Sequence, residues 1–162
     1  MAESPSATPM RPVSDFSASM TGQQSFRLLE RRQPDRNIRY TVLFFYPKDN
    51  TPGCTTENLA FRDTYEQFQE LGVEIFGISR DTLRSHESFK AKLDLPFELI
   101  ADTDEAVCLQ FGVIKQKMMY GKLARGIERS TFLIDADGKL VKEWRGVRAS
   151  SHVDEVLEFL SS

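Results

Sequence analysis

Residues 42–68 read VLFFYPKDNTPGCTTENLAFRDTYEQF, and their order decides the fold. Val42 to Tyr46 form an unbroken β-prone apolar run, the pattern of a strand covered on both faces. Pro47 ends the run, and Thr51-Pro52-Gly53 makes a turn. Thr55-Thr56-Glu57 opens a helix on which Phe61, Tyr65 and Phe68 recur at i, i+4 and i+7. Strand, turn and helix therefore follow one another with Cys54 at the junction.

Working outward, Leu71-Gly72 closes the helix and Val73 to Ser79 supplies a second buried strand. A helix from about Asp81 to Leu93 comes next. Phe97 to Ile100 is expected as an edge strand, Asp104 to Phe111 as a short helix and Ile114 to Arg125 as a long loop. Ser130–Ile134 and Leu140–Trp144 are two strands joined at Asp135-Ala136-Asp137-Gly138, a strong hairpin turn. The last helix carries Val153, Val156, Leu157 and Leu160 on one stripe. Toward the N-terminus, Phe16 and Phe26 flank a hairpin turn at Thr21-Gly22-Gln23-Gln24. Residues 1–13, rich in Ser, Pro and Ala, form a mobile tail, and Met10 is a second candidate start. The order βαβ then ββα predicts an α/β protein of thioredoxin-like fold: a mixed sheet with helices on both faces, in one domain over 14–162.

The chain has 162 residues, 40% hydrophobic and 28% charged, with a formal net charge of -3. These values suit a globular chain in water with small molecules or proteins as partners, and argue against nucleic-acid or membrane binding. Arg27, Arg31, Arg32, Arg36 and Arg39, interleaved with Glu30 and Asp35, read as a solvated mixed-charge connection. No apolar run reaches membrane-span length and the first fifteen residues lack a secretory apolar core, so cytoplasm is the expected compartment. Two cysteines and two histidines, widely separated, offer no zinc-ligand spacing, and no metal or cofactor is expected.

Cys54 sits where the first N–H groups of a helix are unpaired, a position that favours an anion. A free thiol with pKa near 8.5 is only about 3% thiolate at pH 7, whereas a pKa of about 6 gives about 90%. That change requires roughly 3.4 kcal/mol of preferential stabilisation. A helix terminus supplies about 0.3–1 kcal/mol, or about 2 when partly buried, so hydrogen bonds and a nearby cation are needed as well. Thr51 is placed to offer its hydroxyl to the sulfur or to a bound oxygen; it also fits a plain turn or capping residue.

The spacing Pro47-x-x-x-Thr51-x-x-Cys54 resembles the peroxidatic motif of peroxiredoxins. The run FYPKDNTPGCTTENLAFRD (45–63) is similar to the bacterioferritin comigratory protein, or peroxiredoxin Q, branch. So are GVEIFGISRDTLRSHESF (72–89), PFELIADTDEAVCLQFGV (96–113), GIERSTFLIDADGK (126–139) and HVDEVLEFL (152–160). The resemblance implies an antioxidant thiol peroxidase in which the Cys54 thiolate attacks hydrogen peroxide or an organic hydroperoxide and becomes a sulfenic acid. It implies Arg129 as the missing cation, with Thr51, Arg129 and backbone N–H groups holding the peroxide oxygens. Glu57, in the CTxE position, reads as a helix N-terminal cap or as part of the active-site network, with capping preferred. Trp144 reads as packing.

Many members of the branch carry a resolving cysteine five residues after the first, here Leu59, or in the following helix, here Lys90. Both positions lack a thiol. The remaining thiol, Cys108, reads as core packing ahead of a resolving role. The expectation is therefore a monomeric one-cysteine peroxidase reduced by glutathione, glutaredoxin or thioredoxin. The alternative is a two-cysteine cycle with Cys108 resolving and thioredoxin reducing, and the non-enzymatic alternative is a thiol redox sensor. A cysteine hydrolase using His86 or His152 as base is disfavoured, both histidines reading as lone surface residues.

Overall fold

Val42, Leu43, Phe44 and Phe45 are fully buried in a strand, Tyr40–Phe45, that lies between two neighbours in an eight-stranded mixed sheet. The computed structural model describes residues 11–31 and 37–162. Its strands are β1 (Arg11–Pro12), β2 (Ser17–Met20), β3 (Gln24–Arg27), β4 (Tyr40–Phe45), β5 (Val73–Ser79), β6 (Glu98–Ala101), β7 (Ile114–Met119), β8 (Lys122–Ile127), β9 (Ser130–Asp135) and β10 (Lys139–Arg145). The helices are α1 (Pro52–Asp63), α2 (Tyr65–Glu70), α3 (Leu83–Leu93), α4 (Ala106–Gln110) and α5 (His152–Ser161). The sheet order is β1-β10-β9-β4-β5-β6-β2-β3, with β4, β5 and β6 mutually parallel and β9 antiparallel to β4.

Side chains of β4 alternate between two cores, as a strand buried on both faces requires. Val42, Phe44 and Tyr46 join Cys54, Phe61 and Phe68, Phe89 of α3 and Val153 and Val156 of α5. Leu43 and Phe45 point the other way, to Phe26, Val107, Cys108, Phe111 and Ile127. The four larger helical segments α1, α2, α3 and α5 thus cover one face. The short α4, Ile114 and Ile127 at the base of the β7–β8 hairpin, and the N-terminal Val13 and Phe16 pack on the opposite one. This is the thioredoxin-like arrangement expected from the order of elements.

Four expectations are corrected. The segment Ile114 to Arg125 is not a loop but part of an antiparallel hairpin, β7–β8, turned at Tyr120 and Gly121, both in the left-handed region (φ 53° and 78°). Its polar residues read as loop because the hairpin stands apart from the main sheet with most side chains in solvent. β6 is not an edge, since β2 pairs outside it and brings β3 with it. The active-site helix begins at Pro52, three residues earlier than Thr55, with proline at its first position where a missing N–H costs nothing. It also breaks at Thr64 before α2, so Phe61 and Phe68 lie on two helices.

Residues 1–10 of the expected tail lie outside the described residues, as do Arg32, Asp35 and Arg36. Arg11 and Pro12 pair with β10, and Val13 N–H donates to Gly138 O at 2.9 Å. Arg27 pairs with Asp15, and Arg31 pairs with Glu74 while lying over the Phe26 and Phe76 rings.

Candidate active site

Cys54 is third in α1, one turn from the end of β4, and is 1% exposed. Its backbone carbonyl accepts from Asn58 Nδ2 at 2.9 Å, and Thr55 N–H donates to Thr51 O at 2.9 Å, closing the first turn. Thr51 holds the position just before the helix with extended backbone. Its hydroxyl donates to Lys48 O at 2.7 Å, so it ties the turn together and keeps its lone pairs as acceptors. Pro47 lines a cavity of about 240 Å³ together with Arg80, Ala124 and Ile127.

Arg129 comes from the other side of the sheet sequence, in the two-residue link between β8 and β9. Its Nη2 lies 3.4 Å from Cys54 Sγ, and its Nη1 donates to Glu57 Oε1 at 2.7 Å. The two nitrogens of one guanidinium therefore face the sulfur and the carboxyl together. Burial acts against the charge of Arg129, but Glu57 and Cys54 beside it hold its proton more firmly than usual. The cation that the sequence demanded is in contact with the thiol.

Glu57 is fully buried and does not cap the helix. Capping fails because α1 starts at Pro52: Glu57 falls in its second turn, beyond reach of the free N–H groups. Burial pushes its carboxyl up to about 7, with Arg129 pulling in the opposite direction. Its Oε2 has no hydrogen-bond partner among the described residues.

Both histidines are fully buried, against the expectation of surface positions. His152, at the start of α5, places Nε2 2.6 Å from Thr131 Oγ1, and its ring meets Trp144 edge to face. Burial, and then the charge of Arg129, lower its pKa to about 4, so it is a neutral ring at pH 7. The 3.8 Å approach of its Nδ1 to Glu155 is accordingly not an ion pair at that pH. His86 lies between Asp49 Oδ2 at 2.8 Å and Ile100 O at 3.0 Å. Asp49 also accepts from Tyr46 at 2.6 Å and Ser85 at 2.8 Å, while its backbone N–H donates to Asp81 at 2.9 Å. This network fastens the 47–51 turn to α3 and β6. Donor atoms of Asp49, Asp81 and His86 converge within 4.8 Å, and the hydrogen bonds just described account for their convergence. A clue to the burial of both rings was available: His86 precedes Phe89 by three residues, and His152 precedes Val156 by four, so each sits on its helix's apolar stripe.

Cys108 is fully buried in the core on the face of the sheet opposite Cys54, and both cysteines are free thiols. Burial and the neighbouring Asp102 carboxylate raise its pKa far above the usual thiol range. Asp102 accepts the backbone N–H groups of Val107 and Cys108 at 3.0 and 2.7 Å, fixing the start of α4. Glu105 then binds Arg80 and Arg125, which bring its carboxyl down to about 2.

A buried cysteine in the first turn of a helix is thus touched by an arginine from the link between two distant strands. Residues 9–143 match the model of the AhpC/TSA family. The chain belongs to that family. Peroxiredoxin Bcp of Bacillus subtilis is 52% identical over 126 residues, 78% of this chain and 80% of the relative. The Xanthomonas campestris bacterioferritin comigratory protein, described for its alkyl peroxide reduction activity, superimposes with a TM-score of 0.81. It is 43% identical and is covered over 90% of each chain. Peroxidoxin BcpB of Mycobacterium tuberculosis superimposes with a TM-score of 0.80 at 32% identity, over 93% of this chain and 94% of that one. Within the AhpC/TSA family the chain is thus a Bcp, or peroxiredoxin Q, type peroxiredoxin, a peroxidase of the oxidoreductase class.

Proposed function

We propose that Cys54 is the peroxidatic thiol and that its sulfenic acid is resolved by an external thiol, giving a one-cysteine cycle toward hydrogen peroxide and organic hydroperoxides. The observation that carries this reading is the 3.4 Å contact between Arg129 Nη2 and Cys54 Sγ at the start of α1. A thiolate there is stabilised by the guanidinium and by unpaired helical N–H groups, and the same donors serve the peroxide oxygens as the O–O bond breaks. Pro47 shapes the turn, and Thr51 lends its hydroxyl oxygen to hydrogen-bonding with the peroxide. The alkyl peroxide activity described for the Xanthomonas relative supports organic hydroperoxides as substrates.

Two features favour external resolution. Leu59 and Lys90 stand where many relatives have the resolving cysteine, and Cys108 lies in the core across the sheet from Cys54. A disulfide needs Cα atoms within about 7 Å, so Cys108 serves only after α4 and its surroundings open. The reductant is glutathione, glutaredoxin or thioredoxin, and the enzyme works as a cytoplasmic monomer whose single domain is 14–162 together with β1 at Arg11–Pro12.

Brief exposure of wild type and Cys108→Ser to low peroxide, read by mass spectrometry and followed by turnover with each reductant, tests this reading. The expected result is sulfenic acid on Cys54 and turnover retained in Cys108→Ser. An unmodified Cys54 would overturn the peroxidatic assignment. First-step oxidation intact with turnover lost in Cys108→Ser would replace the one-cysteine cycle by a two-cysteine one.

A further inference from the structure

Glu57 follows Cys54 by three residues on α1, so the two side chains occupy one helical face. They share one cation, Arg129, whose Nη2 lies 3.4 Å from Cys54 Sγ and whose Nη1 lies 2.7 Å from Glu57 Oε1. A single guanidinium cannot neutralise a thiolate and a carboxylate together, and with both ionised the buried trio carries an excess negative charge. Glu57 is fully buried, and its second oxygen has no hydrogen-bond partner among the described residues. A buried carboxylate with one oxygen bare is the costly form, and the neutral carboxyl is the cheaper one.

The groups facing this trio do not alter the balance. From α5, His152 lies close enough to sense Arg129, but it is neutral at pH 7 and adds no second positive charge. From α1 the titratable groups are Cys54 and Glu57 themselves, and Arg129 is the one charged side chain that bears on Glu57 among the described residues. The upward push that burial gives the Glu57 carboxyl agrees with the geometry.

We propose that Cys54 and Glu57 hold one proton between them. Glu57 keeps it while Cys54 is a thiolate and releases it when the sulfur is oxidised. This rests on the reading of Cys54 as the peroxidatic sulfur. When the thiolate attacks ROOH, the sulfur's lone pair forms the S–O bond, the O–O bond breaks, and its bonding pair leaves with RO⁻. The sulfenic acid is neutral, so the whole charge of Arg129 passes to Glu57, whose carboxyl ionises. The released proton balances RO⁻ as ROH. Two external thiols then return the sulfur to thiolate, giving water and their disulfide, and restore the proton to Glu57. The net charge of the site stays constant through the cycle. Glu57 acts on the sulfur through Arg129 and is a positioning residue with a proton to give.

Stoichiometric oxidation by hydrogen peroxide at slightly acidic pH, in weakly buffered solution with a pH indicator, tests this. Thiolate is followed by its ultraviolet absorbance, and carboxyl groups by infrared difference spectra. In wild type the thiolate is expected to disappear with almost no proton drawn from solution, together with loss of a protonated-carboxyl C=O band. In Glu57→Gln one proton per oxidised thiolate should be drawn from solution, with no such band lost. Wild-type oxidation that takes up one proton per thiolate and leaves the carboxyl bands unchanged overturns the shared proton alone. Failure of Cys54 to oxidise overturns the peroxidatic reading and the shared proton with it. The infrared measurement on wild type decides the matter even if Glu57→Gln does not fold.

Discussion

A methyl group placed on Gly53 would lie 3.1 Å from Arg129 Nη2, the nitrogen that faces the Cys54 sulfur. The contact is tight, but the atom met is the tip of a long side chain, so the guanidinium gives way rather than the backbone. Gly53→Ala also exchanges a poor helix former for a good one inside α1, worth up to about 1 kcal/mol. The two effects separate stability from chemistry. Gly53→Ala is expected to melt at or above the wild-type temperature while Cys54 oxidation slows about tenfold, equivalent to about 1.4 kcal/mol on the barrier. Stopped-flow oxidation by hydrogen peroxide and a thermal melt of the same sample check it; an unchanged rate would mean that Arg129 keeps its hold on the sulfur by another path.

At the scale of elements, β5 crosses the central sheet with one residue that has no room to grow. A Cβ on Gly77 would meet Leu99 Cδ2 and Phe44 Cζ at 2.8 Å each and Tyr46 Cε1 at 3.1 Å. These are interior atoms of a packed core, and Gly77→Ala is expected to cost about 1–3 kcal/mol, lowering the melting temperature by several degrees. Denaturant unfolding would show it. The strand itself is legible: the apolar run Val73 to Ser79 predicts it, and it is the strand observed. The same holds for β4, for the β9–β10 hairpin and for the apolar stripe of α5, because local periodicity reports local burial. Pairings between distant segments leave no such mark. The N-terminal hairpin is legible from its turn, but its docking on β6 through Ser19↔Ala101 and Met20↔Ile100 is not. The β7–β8 hairpin leaves no such pattern because little of it is buried. In the site, Cys54 was legible from turn and helix chemistry, and Arg129 from an energetic need joined to a family motif. Glu57 reads as a cap only if the helix starts at Thr55; the start at Pro52 makes it an interior carboxyl. Asp49 and His86 carried no motif of their own and became visible only when β4, α3 and β6 met.

Across the whole molecule, two buried groups near Arg129 make stability depend on pH in opposite senses. His152 has its pKa depressed to about 4 from an ordinary 6.5, so the unfolded chain binds more protons between those values, and stability falls as pH drops from 6.5 toward 4. Glu57 has its pKa raised from 4.5 to about 7, so the folded chain binds more protons in that range, and stability falls as pH rises from 4.5 toward 7. The displacements are similar, each equivalent to about 3 kcal/mol, and over the shared window they offset each other. His152→Gln should leave a protein that loses stability as pH rises from 4.5 to 7. Glu57→Gln should leave one that loses stability as pH falls from 6.5 to 4. Urea unfolding at intervals of pH for wild type and both variants measures this, and parallel curves would sink it.

The two outer strands of the main sheet carry a consequence of another kind. One is β1, which among the described residues spans Arg11–Pro12 and ends in Pro12, a residue with no N–H to offer a further strand. The other is β3, whose Gln24, Ser25 and Arg27 are exposed around the buried Phe26. Neither offers the long apolar template on which strands from other copies stack. Both described ends of the sheet thus work against edge-to-edge stacking of folded copies, whatever happens to the sulfur at its centre.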